Sequence, residues 1–191
     1  MFADFFETID FTYFFLSAML FFAGIYLGPS AVDRNLDFLL RYPRWILRMT
    51  RRYFTDGLNI MAVFLIIFSL NNFSLVTSFL SGVLVILPPF AAFFTGFNVA
   101  VMSYEMMGWR GIWQILMNPV AWLEFPAAFI SFSLAHQLAE AQLMFSDWQH
   151  TLNLLTDLWP FYLKYVFTLL LAAAILETSI ILYGRKLPKD N

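Results

Sequence analysis

The sequence contains no cysteine and few charged residues, and both shortages narrow what the protein can be. Without cysteine, the chain forms no disulfide and uses no thiol in catalysis. Asp, Glu, Lys and Arg together make up 13% of the 191 residues, about half the share found in a soluble domain. The motifs of serine hydrolases, nucleotide-binding loops and HExxH zinc enzymes are also missing. The sequence therefore predicts a protein that is not an enzyme and holds no cofactor or metal ion.

Hydrophobic residues are correspondingly abundant, at 61% of the chain. Several apolar runs approach the roughly 20 residues that an α-helix needs to cross a bilayer. The first run follows acidic rather than basic residues, so we do not expect a cleaved signal peptide. The predicted fold is all-α: a polytopic transmembrane helical bundle with Pro-broken helices, forming a single membrane domain over residues 1–191.

The apolar runs predict about five spans, at residues 8–27, 57–73, 75–107, 120–145 and 159–183. The third is longer than a bilayer requires, and Pro88 and Pro89 lie in its middle. It is either one kinked span or two half-spans, and we favour one long broken crossing. The adjacent Asn71 and Asn72 predict a turn that ends the second span. The alternative for these asparagines is a polar lining for a pathway.

A basic segment at residues 30–55 separates the first two predicted spans. Its arginines recur at spacings of three, four and seven, with most of its apolar residues on the other face. They are Arg34, Arg41, Arg44, Arg48, Arg51 and Arg52. The pattern predicts an amphipathic helix, or two short ones parted at Pro43, in the membrane interface. We expect the arginines to contact anionic lipid or, as the alternative, a cytoplasmic partner protein; the large apolar face argues against nucleic acid.

The distribution of Lys and Arg predicts the orientation. Cytoplasmic loops carry the excess of these residues, so the basic segment and the basic tail at 185–189 should share the cytoplasmic side of the plasma membrane. Five spans satisfy both conditions, with the N-terminus outside and the C-terminus in the cytoplasm. The six tryptophans fall at the predicted membrane boundaries, as in an aromatic belt.

The stretch 118–129 places Glu124 between Pro119 and Pro126 at the head of a long apolar run. Proline has no N–H and restricts the residue before it, so the backbone should break or start a helix here. Freed carbonyls find no partners in lipid. A carboxyl group in hydrocarbon is costly and usually faces the interior of a bundle. We therefore expect Glu124 and its neighbours to form a polar motif inside the protein.

Other polar residues within the predicted spans extend this hypothesis. Glu105, Glu124 and Glu177 lie at similar depth in three different spans, and together they could share protons or bind a cation. The alternative is that Glu105 and Glu177 reach the interface separately. Asn98 lies towards the far end of the third span. His136 and Glu140, four residues apart, indicate a polar patch near the outer interface rather than a metal site.

Two stretches carry a resemblance to a known family. Residues 68–72 end in the paired asparagines and precede a span with Gly82 and Pro88, and Pro119 is followed after four residues by residues 124–127, Glu-Phe-Pro-Ala. Over roughly residues 58–140 the chain resembles the integral-membrane family of stage II sporulation protein M. Val120 and Ala121 replace the family's His and Gly, so no role of that histidine carries over.

The resemblance implies a membrane component rather than a stand-alone enzyme, since in spore-forming bacteria the family works in a membrane complex with cell-wall-degrading partners. We therefore expect a scaffold or subunit of a membrane complex. A homodimer is plausible from small residues such as Gly82 and Gly96, which allow close helix packing. The alternative function is a transporter or permease subunit, driven by a partner ATPase, with a polar site around Glu124.

Overall fold

The computed structural model describes residues 3–53, 58–145 and 147–186, without the side chains of residues 3–4, 50–53 and 185–186. This part of the chain is helical and contains no strand. The helices are α1 (Ala3–Thr8), α2 (Phe11–Asp33), α3 (Asp37–Tyr53), α4 (Ile60–Leu80), α5 (Leu87–Met107), α6 (Trp109–Leu116), α7 (Ala121–Phe145), α8 (Trp148–Tyr162) and α9 (Thr168–Lys186). A 3₁₀ turn, Ser81–Val83, follows α4, and a π-helical segment, Leu163–Phe167, joins α8 to α9.

Three of these segments are long and apolar enough to cross a membrane: Phe11–Asp33, Ile60–Val83 and Trp148–Gly184. Helices α6 and α7, bent by 80° at the break between them, would together form a fourth. The all-helical class is thus confirmed, and several long apolar helices indicate a membrane-embedded protein. A count of about five spans stays a prediction.

Several predicted helix boundaries are wrong. Polar residues that were expected to end a helix lie inside one, and prolines that were expected to break a helix lie at the start of one. Helix α4 continues through Asn71 and Asn72 to Leu80, so the predicted turn does not form. Pro88 and Pro89 lie in the first turn of α5, where a missing N–H costs no helical hydrogen bond. Residues 75–107 are therefore the end of one helix and the whole of the next, and not a single broken crossing.

Asx caps fix where three of the helices begin. The side chain of Asp10 accepts from the backbone N–H groups of Thr12 and Tyr13 at the start of α2, at 2.7 and 3.3 Å. Asn59 caps α4 and Asp147 caps α8 in the same way, which satisfies N–H groups that no carbonyl of the helix can reach. With this cap, the last apolar segment begins at Trp148 rather than at the predicted residue 159.

Helix α7 is the centre of the bundle. Fourteen of its 25 residues are buried, and it packs against α2, α4, α5, α8 and α9. Buried Ser131 and Ser133 donate to the carbonyls of Leu75 and Asp10 on neighbouring segments, at 2.8 and 3.0 Å. A helix enclosed by protein can carry such polar groups, because its neighbours supply the partners that lipid lacks.

Helices α2 and α5 pack closely along a pair of small-residue stripes. A methyl group added at Gly24 would collide with the backbone of Phe93, and one at Gly96 with the backbone of Phe21. One turn further along, a methyl group added at Gly28 would meet the side-chain Cβ of Ala100. Since both residue numbers increase together, the two helices run parallel. Gly82 likewise lies against the backbone of Ala135, so these small residues serve packing within the chain, and a homodimer stays a prediction.

Candidate functional site around Glu124

The polar motif forms where α7 begins. Asn118 accepts a hydrogen bond from the N–H of Val120 at 3.0 Å, and the carbonyl of Val120 accepts from the N–H of Glu124 at 3.1 Å. Glu124 therefore lies in the first turn of a new helix, which confirms the predicted helix start. Pro119 is exposed before the helix, and Pro126 lies within it. Because Pro126 has no N–H, the carbonyl four residues before it gains no helical partner.

Glu124 is held by an asparagine from another helix. The side-chain N–H of Asn71 on α4 donates to Oε1 of Glu124 at 2.6 Å, in partly buried surroundings. A hydrogen bond to a carboxylate is shorter and stronger than one between neutral groups. The bond joins the middle of α4 to the start of α7, residues 53 positions apart. Asn71 therefore fastens two helices together, which explains why α4 does not turn at this point.

Asn72 forms a hydrogen bond with a different helix. Its side-chain oxygen accepts a hydrogen bond from the hydroxyl of Tyr162 on α8 at 3.3 Å. Tyr162 is fully buried, and its ring stacks on Phe79 and Trp159 with centroids 5.4 and 5.6 Å away. Successive residues on a helix point about 100° apart, so two adjacent asparagines reach two separate neighbours. Sequence reasoning missed Tyr162, because nothing in its local pattern shows that it would meet α4.

A second carboxyl group lies near Glu124. Glu177 on α9 is half-buried and close enough to interact electrostatically with Glu124. Beside it, the hydroxyl oxygen of Thr178 is buried without a hydrogen-bond partner in the described part of the chain. Of the three carboxylates that the sequence singled out, Glu124 and Glu177 thus interact electrostatically, and their joint binding of a proton or cation stays a prediction.

The third carboxylate, Glu105, is engaged elsewhere. Its Oε1 accepts a hydrogen bond from Nε of Arg44 on α3 at 2.6 Å. Arg44 also binds Asp37 and Asn35, each at 3.2 Å, and it is the hydrogen bond to Glu105 that chiefly raises the pKa of Arg44 above its usual value. Arg44 is therefore a clamp between α3 and α5, and not an arginine free for lipid or a partner.

The other predicted residues of the basic segment and of α5 lie apart from Glu124. Arg34, Arg41 and Arg48 are exposed. The side chains of Arg51 and Arg52 lie outside the described residues. Asn98 is half-buried in α5, and within the described residues it forms no hydrogen bond to Glu124.

The far end of α7 carries a separate polar region. Nδ1 of His136 lies 2.8 Å from the carbonyl oxygen of Phe132 and 3.5 Å from the hydroxyl of Ser17, and Tyr13 stacks on its ring. Glu140 lies close to Tyr13. Across residues 3–53, 58–145 and 147–186, no three His, Cys, Asp or Glu side chains are placed to hold a metal ion.

A cavity of about 470 Å³ opens at this same end of α7. Its polar lining comes from Glu7, Asp10, Gln137, Glu140 and His150, on three segments of the chain. Sequence reasoning missed this cavity because only the fold brings these segments together. Glu124 lies at the opposite end of α7 and does not line the cavity.

Comparisons of the chain with protein-family models, curated proteins and solved structures gave no match. The resemblance to the family of stage II sporulation protein M therefore stays a prediction.

Proposed function

We propose that this protein is an integral-membrane scaffold or subunit of a membrane complex, with no catalytic activity of its own. The observation that carries the proposal is the setting of Glu124. Asn71 binds this carboxyl group between two packed helices, and the cavity of about 470 Å³ lies at the other end of α7. A carboxyl group that joins helices stabilises a fixed architecture, whereas a transport site needs a path for water or ions to reach it.

The resemblance to the family of stage II sporulation protein M supports the same proposal, since in spore-forming bacteria that family works in a membrane complex. We place the protein in the plasma membrane, with the N-terminus outside and the C-terminus in the cytoplasm, on the distribution of Lys and Arg. The process that the complex serves stays open.

One observation favours a second candidate, a transporter or permease subunit. Glu177 on α9 interacts electrostatically with Glu124 on α7, and the next residue, Thr178, has a buried hydroxyl that lacks a partner among the described residues. Such a pair can take up and release a proton or a cation. This function requires a state in which water reaches Glu124.

Glu124→Gln separates the two candidates. Glutamine keeps the size of the side chain and an oxygen that can accept from Asn71, so a scaffold should keep its thermal stability in detergent to within a few degrees. Liposomes that contain the wild-type protein should show no proton or cation flux above that of protein-free liposomes. Flux through the wild-type protein that is lost in Glu124→Gln, at unchanged stability, would overturn the scaffold proposal in favour of transport.

A further inference from the structure

The amphipathic helix α3 is held at the end of a candidate membrane span. Three residues separate it from α2, whose apolar segment ends at Asp33. Leu40 is fully buried against Phe97 and Val101 of α5, and Arg44 is clamped to Glu105. The C-terminal end of α2 is the point at which that helix leaves the apolar layer of the membrane. A helix held within one turn of that point therefore lies at the boundary between lipid and water.

The packing of α3 against the protein leaves exposed a different face of this helix from the one that the sequence pattern indicated. Its leucines, expected to face lipid, are partly or fully covered by the protein: Leu40 is buried and Leu39 packs beside it. The exposed face carries a stripe of large side chains at helical spacing. These are Phe38, Tyr42, Trp45 and Met49, with exposed fractions of 92%, 57%, 49% and 36%. Tyr42 and Trp45 stack on each other with centroids 6.1 Å apart.

Arginines border this stripe on one side. Arg41 and Arg48 are exposed and lie two turns apart, and neither has an ion pair in the described part of the chain. The acidic residue nearest to them along α3, Asp37, is bound by Arg44. Six of the chain's eleven Lys and Arg residues fall within residues 34–52. The face is therefore aromatic along its centre and cationic along one edge, where no carboxylate of the described residues forms an ion pair with Arg41 or Arg48.

We propose that this face, Phe38, Tyr42, Trp45 and Met49 with Arg41 and Arg48, binds the anionic headgroups of the adjacent lipid leaflet. Aromatic rings concentrate at the level of the headgroups, and guanidinium groups form paired hydrogen bonds with phosphate. The negative charge of the leaflet complements the unpaired arginines. A stripe of four large apolar side chains directed into water would be an unusual exposed patch. The inference is independent of the scaffold proposal, because it concerns how α3 meets the bilayer.

The absence of cysteine allows a direct test with single-cysteine variants of the full chain. A nitroxide label on Tyr42→Cys, and separately on Phe38→Cys, reports whether oxygen from the lipid or a water-soluble nickel chelate reaches the face. Phe22→Cys, exposed in the middle of the α2 span, and Gln149→Cys, exposed near the start of α8, give the lipid and water references. The protein is reconstituted in vesicles of phosphatidylcholine alone or with phosphatidylglycerol.

We expect both labels to be reached by oxygen and shielded from the chelate in vesicles that contain phosphatidylglycerol. The double substitution Arg41→Gln and Arg48→Gln should reduce the effect of phosphatidylglycerol on this shielding by about thirtyfold, since each arginine near an anionic surface contributes about 1 kcal/mol. Arg110→Gln, which removes an exposed arginine from α6, should leave it unchanged. Labels that the chelate reaches in both kinds of vesicle would overturn the inference, because they would show that the face lies in water.

Discussion

At the scale of single residues, several polar contacts of this protein join helices that are distant in the chain. Asn71 reaches Glu124 and Asn72 reaches Tyr162, so one pair of neighbouring amides fastens α4 to both α7 and α8. Arg44 and Glu105 do the same for α3 and α5. In lipid there is little hydrophobic gain when two apolar helices meet. Specific polar pairs and close packing therefore decide which helices lie together.

The Asn71–Glu124 bond is testable by removing one or both partners. Asn71→Leu leaves the half-buried carboxyl group of Glu124 without its donor, and we expect a loss of about 1–3 kcal/mol in the free energy of unfolding. The double variant Asn71→Leu, Glu124→Leu should recover much of that loss, because no unpaired polar group remains. Thermal unfolding in detergent provides the measurement.

Asn98→Leu is the matched control for this cycle, since it replaces another half-buried asparagine that does not contact Glu124 in the described structure. Strictly additive losses in the double variant would contradict a direct interaction between Asn71 and Glu124.

At the scale of helices, close backbone contact fixes the arrangement of α2 and α5. Gly24 and Gly28 on α2 face Gly96 and Ala100 on α5, and the absence of side chains lets the backbones touch. Such stripes are a common means of packing membrane helices. Their use within the chain also makes them less available to a second copy of the protein.

Gly96→Ala should destabilise the protein, because the added methyl group would meet the backbone of Phe21, which cannot move aside as a flexible side chain can. We expect a loss of about 1–3 kcal/mol, as for overpacked cores, measured as a lower unfolding temperature in detergent. Gly184→Ala is the control, since nothing lies within 4 Å of the added methyl group. Equal stabilities of the two variants would show that α2 and α5 do not touch at Gly96.

At the scale of the whole molecule, the long helices alternate in direction. Contacts of Ser17 with His136 and of Phe21 with Phe125 set α2 antiparallel to α7. The turns before α5 and before α8 thus lie at one end of the bundle, and the Arg-rich α3 lies at the other with the start of α7. This agrees with an orientation in which the basic residues face the cytoplasm, although the orientation itself stays a prediction.

A membrane-impermeant maleimide tests that orientation. Gln149→Cys, at the start of α8, should react in intact cells, because we place that end of the bundle outside. Arg110→Cys, exposed on α6 at the other end, should react only after the membrane is opened. The reverse pattern would invert the topology, and the wild-type chain, which has no cysteine, gives the background.

The sequence by itself determined the class of the protein. Its hydrophobic runs and scarcity of charge require helices that satisfy their own backbone in lipid, and Pro119, Glu124 and Pro126 together predicted the start of a helix. The amphipathic segment was also predictable, since its periodicity is local. These features depend only on residues that are neighbours along one helix.

Only the tertiary structure decided which polar groups meet. The turn predicted at Asn71 and Asn72 was wrong because both amides find partners on other helices, which makes them tolerable inside α4. Glu105 does not join the other two carboxylates of the predicted trio, because it forms an ion pair with Arg44 of α3. Which face of α3 stays exposed also depended on what α5 covers. A partner 50 or more residues away leaves no trace in local periodicity, so these contacts follow from packing alone.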